Sequence, residues 1–72
     1  MKFKRSVTTV DLINRYGFKR VSQAQEDYLN DRHNSLCWFF ISDYCSDNKY
    51  NPYFEHNYTF AKDMFYRLIE EL

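Results

Sequence analysis

Apolar residues recur at helical spacing in the stretch TFAKDMFYRLIEEL, residues 59–72. In a helix, most of its large apolar side chains would share one face: Ala61, Met64, Phe65, Leu68, Ile69 and Leu72. The opposite face would be polar, and there Asp63 and Arg67 are four positions apart and can attract each other. The pattern predicts an amphipathic helix that runs to the end of the chain.

The stretch VTTVDLINRYGF, residues 7–18, carries helix signals at both of its ends. Thr8 is a typical N-cap residue, and Asp11 three positions later suits the positive end of a helix. Gly17 can adopt the left-handed backbone that closes many helices, with Phe18 folding back on the last turn in a Schellman motif. These signals predict a helix over residues 9–16.

A further helix is predicted over residues 23–33. Ser22 and Gln25 have the spacing of a capping box, which marks the start of a helix. Arg32 and His33 would then lie in the last turn, where positive charge interacts favourably with the helix dipole.

The stretch SLCWFFISDYC, residues 35–45, is apolar on nearly every side, so its periodicity allows two interpretations. As a helix it would present one continuous stripe: Cys37, Phe40, Ile41 and Tyr44. As a strand it would form a β-hairpin at 36–54, with its turn at SDNK. We favour the helix and predict an all-α, compact bundle of about four short helices in one small domain, residues 1–72. The alternative is an α+β fold with the hairpin.

The aromatic content is high for a chain of this size. The 72 residues include seven Tyr, seven Phe and one Trp, beside a single Gly and a single Pro. Each aromatic side chain can bury about 150–250 Å². One small core cannot provide that area for all fifteen of them. We therefore expect several rings to remain at the surface, where exposed apolar clusters tend to mark contacts with a partner.

The stretch DNKYNPYFEHNY, residues 47–58, is the strongest candidate for such a contact. Tyr supplies a large contact area with few torsions to immobilise, and Asn supplies adaptable hydrogen bonds, a mixture that binding loops favour. The predicted partner-binding residues are Tyr50, Asn51, Tyr53, Phe54 and Tyr58. In the competing interpretation this loop folds back and fills the core. A combination of the two would bury Phe54 and leave the tyrosines outside.

Charge is distributed unevenly although the formal net charge is zero. Residues 1–20 contain six basic residues and one acidic residue, a balance of +5, and residues 21–72 contain four basic and nine acidic residues, a balance of −5. The basic side chains of the first part are candidates for steering or phosphate contact: Lys2, Lys4, Arg5, Arg15, Lys19 and Arg20. The two parts either neutralise each other in the fold or present the basic end to an anionic partner.

Metal binding and catalysis have little support in the sequence. His33, Cys37, Cys45 and His56 do not follow a usual zinc-site spacing. Two cysteines eight positions apart on one helix would be separated by about 12 Å, too far for a disulfide. A chain with a single glycine also has no glycine-rich phosphate loop. We therefore expect no metal, no cofactor and no enzymatic activity.

Function is predicted from these features as a non-enzymatic protein-binding module. The bias towards Phe, Tyr, Asn and Lys is typical of AT-rich coding, which favours a phage or mobile-element inhibitor, such as an anti-defence protein, that occupies the surface of a host protein or complex. No apolar run is long enough for a membrane span, so we expect a cytoplasmic protein. The surplus rings also permit a homodimer.

A small DNA-binding regulator is the alternative function. The first two predicted helices have the outline of a helix-turn-helix, in which the second helix presents its first side chains to base edges. Those side chains would be Ser22, Gln23 and Gln25, with the basic residues of the first part on the phosphates.

Overall fold

The computed structural model describes residues 2–72, and within that range it contains four helices and no strand. The helices are α1 (Thr9–Tyr16), α2 (Phe18–Leu29), α3 (Leu36–Asp47) and α4 (Glu55–Glu70). Helix α3 packs along α4, and α2 contacts the other three helices. The radius of gyration is 11.3 Å, close to the value of about 11 Å expected for a folded chain of this length. The predicted all-α bundle is confirmed.

Helix α3 replaces the alternative hairpin at 36–54, which is therefore wrong. Its inward stripe contains the four residues predicted for a helix, and Leu36 and Cys45 extend it: Leu36, Cys37, Phe40, Ile41, Tyr44 and Cys45 are all buried. Residues spaced three and four apart share one helical face, so a helix buries all six at once.

Helix α1 begins and ends at the predicted residues. The Thr8 hydroxyl accepts a hydrogen bond from the Asp11 N–H at 3.2 Å, and the Asp11 carboxylate accepts one from the Thr8 N–H at 3.0 Å. These reciprocal bonds form a capping box and satisfy two backbone donors at the start of the helix.

Gly17 joins α1 directly to α2, and the predicted Schellman closure there is wrong. Its φ of 94° and ψ of 145° lie far from the left-handed helical region. The Gly17 N–H donates to the Ile13 carbonyl at 2.8 Å, and the Gly17 carbonyl accepts from the Val21 N–H at 3.2 Å. One residue thus ends α1 and starts α2, and Phe18 lies largely exposed in α2 instead of folding back.

The second predicted helix, 23–33, is displaced towards the N-terminus. Because α2 already begins at Phe18, Ser22 lies inside the helix and Gln25 donates to the Ile69 carbonyl at 2.9 Å instead of forming a capping box. The helix ends at Leu29, so the predicted last-turn residues lie beyond it.

A Schellman motif ends α2 at Asp31, which has a φ of 57°. The Arg32 N–H donates to the Asp27 carbonyl at 2.7 Å, and the Asp31 N–H donates to the Tyr28 carbonyl at 3.1 Å. These are the two hydrogen bonds that define the motif, formed here around an aspartate in place of a glycine.

The same motif ends α3 at Lys49, which has a φ of 60°. The Tyr50 N–H donates to the Cys45 carbonyl at 2.7 Å, and the Lys49 N–H donates to the Ser46 carbonyl at 3.2 Å. The reversal turns the Tyr50 ring onto the core, where its centroid lies 6.2 Å from that of Tyr44.

Helix α4 begins at Glu55, four residues before the predicted start, and ends at Glu70. The predicted apolar face is confirmed, because Ala61, Phe65, Leu68 and Ile69 are buried and Met64 and Leu72 are half-buried.

Candidate partner-binding groove

Seven of the fifteen aromatic rings are substantially exposed to solvent. They are Phe18, Tyr28, Trp38, Phe39, Tyr53, Phe54 and Phe60. The core accepts only part of the aromatic side chains, as the composition predicts. Trp38, Phe39 and Tyr53 are distinct from the other exposed rings in that all three line one groove.

The groove lies between α3 and the segment that connects α3 to α4. Its volume is about 330 Å³, at the lower end of the range of about 300–1,000 Å³ that is typical of ligand pockets. Its lining residues are mostly apolar: Trp38, Phe39, Ile41, Ser42, Pro52 and Tyr53. None of them carries a formal charge at neutral pH, so the groove favours an apolar occupant.

Helix α3 presents one side of the groove because its inward face is already filled. Phe40, Ile41 and Tyr44 are buried, and the helical period then directs Trp38 and Phe39 to the outer face. Each of these two side chains is 53% exposed. Outer-face residues on a rigid helix need little ordering when a partner binds.

The connecting segment presents the other side through a hydrogen-bonded turn. The Asn51 side-chain oxygen accepts from the Tyr53 N–H at 3.0 Å, and the Asn51 carbonyl accepts from the Phe54 N–H at 3.2 Å. The side chain of Asn57 donates to the same carbonyl at 3.2 Å. The Tyr53 backbone is therefore held, whereas its side chain is 95% exposed.

Two cationic side chains lie near the groove, in contact with aromatic rings. The Arg20 guanidinium lies 5.7 Å from the ring centroids of both Phe39 and Tyr16, within the range of a cation–π contact. On the α4 side, the Tyr58 ring lies 5.2 Å from the Trp38 ring, and the Lys62 ammonium lies 5.9 Å from the Tyr58 centroid.

The predicted contact loop divides into exposed and packed residues. Tyr53, Phe54 and Asn51 are exposed, whereas Tyr50 and Tyr58 are half-buried against the core. The combined interpretation, with Phe54 buried and the tyrosines outside, is therefore wrong. The Schellman motif turns Tyr50 inward, and the early start of α4 places Tyr58 on a helix beside Trp38.

Trp38 and Phe39 are contact candidates that the sequence prediction missed. The signal was present, because the helical stripe assigned to residues 35–45 excludes both of these large apolar side chains. A stripe that fills the inward face leaves such residues on the surface.

The predicted basic residues separate into two groups. Lys2, Lys4, Arg5, Lys19 and Arg20 are exposed. Arg15 is half-buried, and its guanidinium contacts Asp47 at 2.7 Å and Asp43 at 3.7 Å. Arg15 thus balances acidic residues within the fold, as one of the two charge interpretations expects.

The side chains proposed for base recognition lie in the middle of α2. Ser22 is half-buried, Gln23 donates to the Asp27 carboxylate at 3.0 Å, and Gln25 donates to the Ile69 carbonyl. The exposed N-terminal turn of α2 instead carries Phe18, Lys19 and Arg20.

The cysteines and the histidines differ in their exposure to solvent. Cys37 and Cys45 are buried free thiols, and burial raises the pKa of both. His33 and His56 are exposed. Among residues 2–72, no group of three or more His, Cys, Asp or Glu side chains has the arrangement of a metal site.

No helix within residues 2–72 combines the length and apolar character that a membrane span requires. No protein-family model matches the chain, no curated protein matches its sequence, and no solved structure matches its fold.

Proposed function

We propose that this protein is a non-enzymatic binding module that covers part of a partner protein's surface with the groove formed by Trp38, Phe39 and Tyr53. The observation that carries the proposal is the convergence of these three exposed rings on one uncharged groove. Tryptophan and tyrosine dominate the energetics of protein interfaces because they bury large areas and have few torsions to immobilise.

The partner we propose is a host protein or protein complex, reached in the cytoplasm. The composition remains the support for a phage or mobile-element origin and for an inhibitory role. Inhibition would follow from occupation of a surface and requires no catalytic group.

The test is capture of partners from a host lysate by the tagged full chain, its Tyr53→Ala variant and a Phe18→Ala control. Phe18 is an exposed aromatic residue that does not line the groove. A partner retained by the wild type and the control but weakened at least about five-fold by Tyr53→Ala would support the proposal, since contact residues of this kind contribute about 1 kcal/mol or more. Equal recovery by all three proteins would contradict it.

Unfolding measurements complete this test. Because the Tyr53 side chain is almost fully exposed, Tyr53→Ala should change the free energy of unfolding by less than about 0.5 kcal/mol. Tyr50→Ala is unsuitable as a binding variant, since Tyr50 packs on the core and its loss would alter stability as well.

A DNA-binding regulator is the second candidate, favoured by the exposed Lys19 and Arg20 at the start of α2. Such a protein would lose affinity for duplex DNA steeply with salt, in proportion to the phosphates it contacts. Nuclease treatment of the lysate separates the two candidates, since it would release a partner held through nucleic acid.

A further inference from the structure

Arg20 and Lys62 place positive charge near the two sides of the groove. The salt bridges described within residues 2–72 both involve Arg15, and neither Arg20 nor Lys62 takes part in them. Arg20 lies against the groove residue Phe39 and, at the same distance of 5.7 Å, against Tyr16. Lys62 lies against Tyr58, whose ring contacts the groove residue Trp38.

The positive charge of Arg20 and Lys62, here called the rim of the groove, contrasts with the acidic character of residues 21–72. Residues 21–72 have a balance of −5, yet the six residues that line the groove include no carboxylate. Asp43 lies one turn beyond Phe39 on α3, but its carboxylate accepts a hydrogen bond from the Tyr16 hydroxyl at 2.7 Å and lies 3.7 Å from Arg15. Arg15 lies closer to Asp47, at 2.7 Å, so Asp43 shares one cation with a second carboxylate.

We infer that the groove binds a short acidic peptide segment of the partner, with one apolar anchor side chain between Trp38 and Tyr53 and carboxylates at Arg20 and Lys62. The inference rests on the proposed function and specifies the partner's chemistry. A volume of about 330 Å³ accommodates one or two large side chains, and an apolar anchor with charges at its edge is the usual anatomy of a small interface.

Single-stranded nucleic acid fits the groove less well. Proteins that bind single strands combine stacking rings with a positively charged path that follows the phosphates. Here the lining residues are uncharged and the surrounding part of the chain is acidic, so a long polyanion would meet repulsion beyond the two flanking cations.

The test is selection of a displayed library of random short peptides on the full chain. We expect the selected sequences to combine an aromatic or aliphatic anchor with Asp or Glu at a higher frequency than the unselected library. Trp38 is the single tryptophan of the chain and lines the groove, so binding of a selected, tryptophan-free peptide should shift its fluorescence emission.

Charge variants then test the role of the rim. Arg20→Gln and Lys62→Gln should each lower the affinity for a selected peptide about two- to five-fold, the range for exposed ion pairs. Added salt should reduce this difference from the wild type. Arg32→Gln, which removes the same charge from an exposed loop residue, should leave affinity unchanged.

The outcomes separate the inference from the function on which it rests. One outcome would overturn the inference and leave the proposed function standing. The selected peptides would lack an acidic bias, and their affinity would be unchanged by both charge variants but lowered by Tyr53→Ala. Failure to select any peptide would overturn the inference alone, since the capture experiment tests the proposed function independently. Selected peptides whose affinity Tyr53→Ala does not lower would overturn both. Competition by oligothymidylate at the same concentration as the peptide would also overturn both, in favour of single-stranded nucleic acid.

Discussion

Arg15 and Asp47, 32 positions apart in the sequence, form an ion pair in which Arg15 Nη1 lies 2.7 Å from Asp47 Oδ2. The same carboxylate oxygen accepts a hydrogen bond from the Phe3 N–H at 2.8 Å. The Arg15 guanidinium also lies 4.5 Å from the Phe3 ring centroid. One carboxylate at the end of α3 thus connects α1 to the N-terminal segment, whose Phe3 side chain is buried in the core.

Removal of this carboxylate should destabilise the fold. Asp47→Ala leaves the Arg15 guanidinium and the Phe3 N–H without their shared acceptor, and we expect a loss of about 2–3 kcal/mol in the free energy of unfolding. Asp47→Asn should lower the free energy of unfolding by less, because the amide oxygen can still accept a hydrogen bond from the Phe3 N–H. Urea unfolding followed by circular dichroism measures both, and equal stabilities for Asp47→Ala and the wild type would contradict the proposed connection.

The same residue should contribute to acid sensitivity. Burial acts to raise the pKa of Asp47, but hydrogen bonds from the Phe3 N–H and Arg15 outweigh it, so the pKa in the folded protein lies below the ordinary value of 3.8. As the pH falls, the unfolded chain protonates this group first. Its contribution to stability is therefore complete above about pH 5 and is lost as the pH falls through 3.8 and the lower folded pKa.

Unfolding curves at a series of acidic pH values test this dependence. The stability difference between the wild type and Asp47→Asn should shrink as the pH falls below about 4. Asp27→Asn provides a comparison, because hydrogen bonds from Asn34 and Gln23 also lower the pKa of Asp27. Its stability difference from the wild type should change with pH in the same direction. A stability difference at Asp47 that stays constant down to the most acidic pH would show that its charge has no role.

Lys49 should be a site where glycine stabilises the protein. A side chain at a φ of 60° costs roughly 1 kcal/mol that glycine avoids, partly offset by the greater freedom of glycine in the unfolded chain. We expect Lys49→Gly to raise the free energy of unfolding by about 0.5 kcal/mol. Ser46→Gly, within α3, should lower it by about 0.5–1 kcal/mol.

Gly17 should tolerate neither alanine nor asparagine. A Cβ at this position would have no atom within 4 Å, so crowding does not exclude a side chain. The cost lies in the backbone, because a φ of 94° with a ψ of 145° is a region that residues with a Cβ rarely adopt. We expect both variants to lose about 1–3 kcal/mol in thermal or urea unfolding. Rescue by asparagine alone would instead indicate a left-handed helical cap.

The two thiols should react only after the protein opens. Cys37 and Cys45 are buried, and burial raises the pKa of each, so little thiolate is accessible in the folded state. We expect slow reaction with a disulfide reagent at neutral pH and rapid reaction of both cysteines in guanidinium chloride. Rapid reaction of either thiol in native buffer would contradict the packing of α3.

Local signals predicted the parts of the fold that depend on neighbouring residues. The Thr8–Asp11 capping box acts over three positions, so the start of α1 follows from the sequence alone. The end of α2 was predicted less well, because Asp31 and not a glycine adopts the left-handed conformation there. At Gly17 the expected closure failed, since α2 starts immediately after it.

By itself, the sequence determined the apolar face of α4 and the surplus of aromatic rings, and it favoured the all-α class and the inward stripe of α3 over a hairpin at 36–54. Helical periodicity is sufficient for α4 and composition for the surplus of rings, whereas residues 35–45 are apolar on nearly every side and their helix was established only by the structure. Only the tertiary structure decided which rings are exposed, turning Tyr50 onto the core and bringing Trp38, Phe39 and Tyr53 to one groove. The reason is that one small core cannot bury the rings of all segments. The packing of α3, α4 and the segment between them fixes which rings are buried.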